Sequence, residues 1–373
     1  MADSDDGTTA ALDELADGLE GPLLRPDDVG YDDARAVWNG MADWRPAAIP
    51  RCETTGDVAT VVTTALEAGL SLSAKGGGHH VSGRAVAGDL VLDLGPMDAV
   101  EVDPEAKTAT VGPGALWGEV DEATVPHDLV VPGPQDPSVG VAGATLGGGG
   151  GWLSPTFGFT SDNLLSAEVV TAEGEVVEAS DESNPDLFWA LRGGGGNFGV
   201  VTEFEYRLHD FGREILAGSL AYDPADAPEV IEHYESYMAD APRAVRPLFG
   251  LMELPAAPVY PEHLHGERVL LLILFYGGDP EEGEEVLEPL RSFGEPLADS
   301  VRPRDYFDWQ QVGEAADVMR SYVRGAALDT YSEGAVETIL EYGMDAPSPE
   351  ATIFSSPRRG AETDPPVDAT AYP

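Results

Sequence analysis

The residues best equipped for chemistry stand at Lys75-Gly76-Gly77-Gly78-His79-His80, where three consecutive glycines end in an imidazole directly after a short apolar stretch. Backbone without Cβ can press against a flat or phosphorylated ligand and present its N–H groups as an anion nest. A histidine at the exit of such a loop aims a nucleophile at whatever the loop cradles. Glycine density alone is equally compatible with a flexible surface loop. Two further segments tip the reading toward a ligand: Val139-Gly140-Val141-Ala142-Gly143 running on to Gly147-Gly148-Gly149, and Gly193-Gly194-Gly195-Gly196-Asn197-Phe198-Gly199.

None of these loops is a phosphate P-loop, because no Gly-Lys-Ser/Thr follows at the required spacing. The first is not a dinucleotide fingerprint either, since no helix opens at His79-His80-Val81-Ser82-Gly83. A metal site from His79 and His80 is poor: neighbouring side chains on extended backbone diverge, and no matching His, Cys or carboxylate cluster accompanies them. A long cofactor laid against several loops, its pyrophosphate met by backbone N–H groups, accounts for all three.

Positioning such loops calls for strands and helices around them. Thr54 or Thr55 can cap a helix whose apolar residues Val58, Val61, Val62, Ala65 and Leu66 recur at helical spacing, with Gly69 at its C′ position. Residues 70–74 then read as the strand that delivers the first loop. Strands are expected at 90–94, 99–103 and 108–111, and a helix from near Ala115. Segments 166–171 and 175–179 flank Ala172-Glu173-Gly174 as a hairpin. Asn184-Pro185 offers an N-cap and an N1 proline to a helix over 186–192, and 200–208 alternates as a strand. A short helix is expected over 10–19 after a frayed acidic start. Beyond about Gly212 the glycine clusters cease, and strand and helix candidates alternate at 217–222, 227–238, 269–276 and 281–293. The chain is expected to divide into a lead-in at 1–45, a glycine-rich domain at 46–212 and a second domain at 213–373.

Composition restricts the setting. The 373 residues hold 68 Asp plus Glu against 20 Lys plus Arg, a formal charge of -48, and the only lysines are Lys75 and Lys107. Self-repulsion of that size strains a compact fold in dilute buffer. Molar salt, with a Debye length of roughly 3 Å, screens most of it. The acids are spread among ordinary core residues, so they describe a solvated acidic surface, expected of a cytoplasmic protein from a salt-accumulating halophile. Nucleic acid is excluded as a partner for want of a basic patch. Cys52 is the only cysteine, which rules out an internal disulfide. No run of some eighteen apolar residues suggests a membrane span, and the N-terminus carries no basic and apolar signal.

The order and spacing of these segments resemble a known family. The stretches Ala74 through His79 with Ser82-Gly83, Pro137-Ser138-Val139-Gly140-Val141-Ala142-Gly143 with Gly148 and Gly149, and Phe157-Gly158-Phe159-Thr160-Ser161-Asp162-Asn163 are the first part of the likeness. Val169-Val170-Thr171-Ala172, and Asp186-Leu187-Phe188-Trp189-Ala190-Leu191-Arg192 through Gly199-Val200-Val201-Thr202, complete it. Together they resemble the FAD-linked oxidases of the vanillyl-alcohol oxidase superfamily, with a PCMH-type FAD-binding domain, and within it the berberine-bridge-enzyme-like branch. The likeness runs over about residues 30–210.

The resemblance implies an α+β fold, with a two-subdomain FAD-binding domain followed by an α/β substrate domain built on an antiparallel sheet and helices. It implies FAD bonded covalently through His79, with Lys75, Gly76, Gly77, Gly78, His80 and Gly83 around the first loop, Val139, Gly140, Gly143, Gly148 and Gly149 on the second, and Gly158, Asn163, Gly199 and Val200 beyond. Many relatives add a second flavin bond from a cysteine where this chain has Asp136, so a single link is expected. Lys75 stands where the family usually has Arg. Relatives also continue past residues 369–373 into a tail with the tyrosine usually assigned as base, so the substrate domain is expected to be incomplete here and the base has no counterpart.

The implied reaction is hydride transfer from a CH–OH or CH–NH carbon of a small metabolite or sugar to the flavin, with O₂ as acceptor and no membrane or nucleic-acid partner. Val139 matches a position where a small aliphatic side chain leaves oxygen access open. Alternatives are a dehydrogenase using another acceptor, a flavin-binding remnant without turnover, and a metal-dependent hydrolase built on His79 and His80. Tyr276, Tyr306, Asp308 and Tyr322 are polar candidates in the second domain, where tyrosines among apolar neighbours are more often core residues.

Overall fold

The computed structural model describes residues 3–313 and 319–372. The chain forms two compact units. The first gathers Met1–Asp210 with Gln310–Arg324 and Pro365–Pro373, and the second comprises Phe211–Trp309 and Gly325–Asp364.

In the first unit, helix α1 (Asp3–Gly18) starts earlier than the expected 10–19 segment. Its Leu12 and Leu15 enter one apolar cluster with Val58, Val61 and Val62 of α2 (Thr55–Ala68). Tertiary packing of this kind, more than helix propensity, sustains short helices. Helix α2 begins where Thr54 Oγ1 accepts from the Asp57 N–H at 3.1 Å and ends at Gly69 in the left-handed region, φ 67°. Strand β1 (Leu72–Lys75) lies parallel to β2 (Leu90–Asp93), pairing Leu72 with Leu90 and Lys75 with Asp93.

A five-stranded antiparallel sheet is the largest sheet of this unit. Its strands are β3 (Val100–Asp103), β4 (Thr108–Val111), β5 (Leu164–Val170), β6 (Val176–Ser180) and β7 (Val200–Arg207), in the order β3-β4-β7-β5-β6. The β5–β6 hairpin turns at Gly174, φ 78°. Alternation places Ala109, Val111, Val169, Phe204 and Tyr206 on the buried face, against Trp117 and Val120 of α3 (Trp117–Thr124) and Phe188 and Leu191 of α5 (Pro185–Leu191). Helix α4 (Val141–Leu146) contributes Val141 and Leu146 to the same core. Each such aromatic is worth roughly 2–3 kcal/mol of transfer free energy. Asn184 does not cap α5 with its side chain: it sits at φ 49° and donates from Nδ2 to Glu178 O at 2.7 Å, leaving Pro185 to open the helix.

The second unit is a six-stranded antiparallel sheet with helices on it. Strand β8 (Glu214–Tyr222) pairs with β10 (Arg268–Tyr276), which pairs with β9 (Leu248–Glu253), and Ile353–Ser355 closes the far side. Ala298–Asp299 and Arg302–Asp305 both pair with β8. The near-continuous apolar run Val269 to Tyr276 is buried almost throughout, with α6 (Ala227–Met238) and α7 (Pro280–Arg291) packed in the same cluster through Ile231, Tyr234, Leu287 and Leu290. The fold is therefore α+β. No described helix is long and apolar enough to cross a membrane.

Candidate functional site

The first glycine loop starts where the β1–β2 ladder stops, at Leu94 N–H bonded to Lys75 O at 2.8 Å. From there the chain leaves the sheet. Among the described residues, none accepts a hydrogen bond from the backbone N–H of Gly76, Gly77, Gly78, His79 or His80. Five successive open donors form a concentrated site of positive potential. Gly78, at φ 71°, makes the turn, and its carbonyl accepts from Trp38 N–H at 3.2 Å.

The second loop presses against the first. A Cβ on Gly77 would fall 2.3 Å from Gly140 N, and one on Gly140 would fall 2.2 Å from Gly77 N, so the two backbones touch and only glycine fits either position. This contact carries Ser138 to His79. Ser138 Oγ lies 2.9 Å from His79 Nε2 and donates to Asp136 Oδ1 at 2.6 Å, while the Ser138 N–H donates to the same oxygen at 2.9 Å. The half-buried imidazole also stacks on Trp38, with ring centroids 5.8 Å apart and planes at 23°. Burial lowers its pKa below the ordinary value, partly opposed by the Asp136 charge. Burial thus favours the neutral form of a ring that Ser138 and Trp38 hold in place.

The other sequence candidates have mixed surroundings. His80 is exposed, its Nδ1 accepting from the Ser82 N–H at 3.2 Å, and no described cluster of His, Cys, Asp or Glu has metal-binding geometry. Lys75 Nζ donates to Ala34 O at 2.6 Å, and burial lowers its pKa. Gly83 abuts Ala42. Val139 O accepts from Trp117 N–H at 2.9 Å, fixing the loop that precedes α4. Gly143 faces open space on that helix.

Gly148 and Gly149, by contrast, give up their space to protein: a Cβ on Gly148 would meet the Tyr372 ring, and one on Gly149 would meet Thr160 Oγ1. Gly158 turns at φ 85° beside Asp162. Asn163 spends its side chain on the loop, donating from Nδ2 to Phe157 O and Phe159 O, both at 2.9 Å, with Oδ1 2.6 Å from His209 Nε2. Gly199 lets the chain approach Val169 and Val170 closely, and Val200 enters the sheet opposite Val170. Segment 365–372 straps α5, with Trp189 Nε1 donating to Asp368 O at 2.9 Å.

Of the tyrosine candidates, Tyr306 is a core residue edge-on to Phe211, and Tyr276 donates to Glu282 Oε2 at 3.3 Å. Exposed Tyr322 accepts from Arg324 Nε, and the Asp308 N–H donates to Asp305 Oδ1 at 3.3 Å. Trp38 is not evident from the sequence, because its role depends on a loop contact with His79, distant in the chain, that no periodicity encodes.

Comparison with known proteins points to a flavin. The FAD binding domain family matches residues 46–180, the span that contains the first two loops and the β5–β6 hairpin. Residues 46–180 are thus similar to an FAD-binding domain. The chain is 34% identical to (R)-6-hydroxynicotine oxidase of Paenarthrobacter nicotinovorans over 294 residues, covering 77% of this chain and 62% of that protein, so it spans less than two thirds of that relative's length. The crystal structure of 6-hydroxy-D-nicotine oxidase from Arthrobacter nicotinovorans superposes with a TM-score of 0.73 at 31% identity, over 80% of this chain and 66% of that one. Glucooligosaccharide oxidase from Acremonium strictum, described as carrying 6-S-cysteinyl, 8α-N1-histidyl FAD, gives 0.82 at 26% identity over 97% and 78%. The fold is that of the PCMH-type FAD-linked oxidoreductases. An FAD suits the first two loops on physical grounds: open amides answer a pyrophosphate, the Gly77–Gly140 contact removes bulk, and one imidazole nitrogen is spare.

Proposed function

We propose that this chain is an FAD-linked oxidase that takes hydride from a CH–OH or CH–NH carbon of a small metabolite or sugar and passes the electrons to O₂, with FAD bonded to His79. The observation that carries the reading is an imidazole held by Ser138 and Trp38 within a run of five open backbone amides. Bound FAD would supply the redox chemistry, accepting hydride and returning electrons to an acceptor. The protein's part is to hold and orient it. The amides of Gly76 to His80 would neutralise the pyrophosphate, Gly77 and Gly140 would admit its approach, and Val139 would leave space for O₂. Asp136, with no thiol to offer, leaves His79 as the single attachment. The names of the relatives, a hydroxynicotine oxidase and a glucooligosaccharide oxidase, support amine or hydroxyl carbons as the site of oxidation.

Purification in molar KCl followed by acid precipitation tests the attachment: flavin absorbance should stay with the parent polypeptide and leave a His79→Ala variant. Anaerobic addition of 6-hydroxynicotine or glucooligosaccharides tests the reaction. Bleaching of the flavin with return of colour in air is the expected result, and an unchanged spectrum with both substrate classes would remove these two from consideration.

A further inference from the structure

We infer that Asp136 and Ser138 select which nitrogen of His79 bonds the flavin and receive the proton that nitrogen's partner gives up. The inference rests on the reading of His79 as the attachment point. A serine hydroxyl has one proton, and a carboxylate can only accept. With Ser138 donating to Asp136 Oδ1 at 2.6 Å, its oxygen is left to accept from His79 Nε2 at 2.9 Å. The proton of the neutral ring therefore sits on Nε2 and the lone pair on Nδ1, which no described residue engages. The second bond to Asp136 Oδ1, from the Ser138 N–H, locks the turn, and Trp38 holds the plane of the ring. Burial lowers the imidazole pKa, which favours the form whose lone pair is available.

Atoms and electrons balance for the attachment with O₂ as the oxidant. Nδ1 forms a C–N bond to the methyl carbon of the flavin ring, and that carbon loses one C–H proton. Nε2 passes its proton to Ser138 as Ser138 passes its own to Asp136. The electron pair released goes to O₂, which with two protons leaves as hydrogen peroxide. Asp136 and Ser138 touch neither reactant atom and act as positioning residues through His79.

The test compares covalent incorporation of FAD into apoprotein for the parent, Ser138→Ala, Asp136→Asn and Ser138→Thr, read as flavin retained after acid precipitation against time and pH. The identity of the bonded nitrogen is read by NMR of the isolated histidyl-flavin peptide. Reversible FAD binding by each variant, followed by fluorescence, establishes that its loops are folded. Ser138→Ala should slow incorporation by about a hundred-fold, the lower end of what one positioned proton acceptor contributes, and yield a mixture of nitrogens. Asp136→Asn keeps a carbonyl oxygen for Ser138 but cannot take up the proton, and should slow incorporation with Nδ1 still the bonded nitrogen, while Ser138→Thr restores the parent rate. Parent-like rates with Nδ1 alone in both Ser138→Ala and Asp136→Asn overturn the inference and leave the His79 reading intact. A parent that loses all flavin on acid precipitation overturns both.

Discussion

Gly77 and Gly140 meet back to back, each so close that a methyl group on one would fall 2.2–2.3 Å from the amide nitrogen of the other. Their contact sets the distance between the open amides of one loop and the Asp136–Ser138 turn of the next. Gly140→Ala should force the loops apart, costing about 1–3 kcal/mol as an overpacked site and cutting flavin retained per chain far more than it lowers the melting temperature. Visible absorbance per polypeptide alongside thermal unfolding checks this.

Asp121 on α3 is buried, with Oδ2 accepting from Gln310 Nε2 at 3.0 Å, and burial raises its pKa to about 7, an effect the Gln310 bond opposes. Below its unfolded pKa near 3.9 both states hold the proton and no penalty exists. As the pH rises toward 7 the unfolded chain ionises first, so stability falls by a few kcal/mol, at about 1.4 kcal/mol for each pH interval of one between the two pKa values. Asp121→Asn keeps an acceptor for Gln310 but cannot ionise. It should unfold at higher denaturant than the parent at about pH 8, and lose that advantage near pH 4.

The second unit contains an ion pair with almost no solvent contact, Arg246 Nη1 to Glu362 Oε1 at 2.6 Å, with side chains 9% and 1% exposed. Removing one partner leaves a buried charge uncompensated, at a cost of about 3–5 kcal/mol. Glu362→Gln should lower the denaturant midpoint accordingly, and little added salt dependence should accompany it, because the pair is shielded from counterions.

A formal charge of -48 dominates the surface, and most ion pairs present are solvent-exposed ones such as Arg25–Asp13. Exposed pairs contribute little, so net repulsion remains. The melting temperature should climb steeply between dilute buffer and molar KCl, where the Debye length has fallen to roughly 3 Å. A flat profile would mean that the acids are locally neutralised.

Much of the first unit is written in local signals. The Thr54 cap, the C′ Gly69, the alternation of 108–111 and 200–207, and the hairpin glycine at 174 all rest on short-range sterics and periodicity, and all form as expected. The glycines at 76–78 and 140 were legible because close approach and positive φ have no substitute. The Asn184 cap failed because a bond back to the Glu178 carbonyl, six residues earlier, captured its amide while its backbone sits at φ 49°. Trp38 and the Asp136–Ser138–His79 chain were invisible as a unit, since their meaning arises only when distant loops are brought into contact.

The open amides from Gly76 to His80 form an island of positive potential inside a molecule whose overall field repels anions. A doubly charged dinucleotide must cross that field before the island can capture it. Encounter should therefore accelerate with ionic strength, the reverse of the salt response of an attractively steered partner.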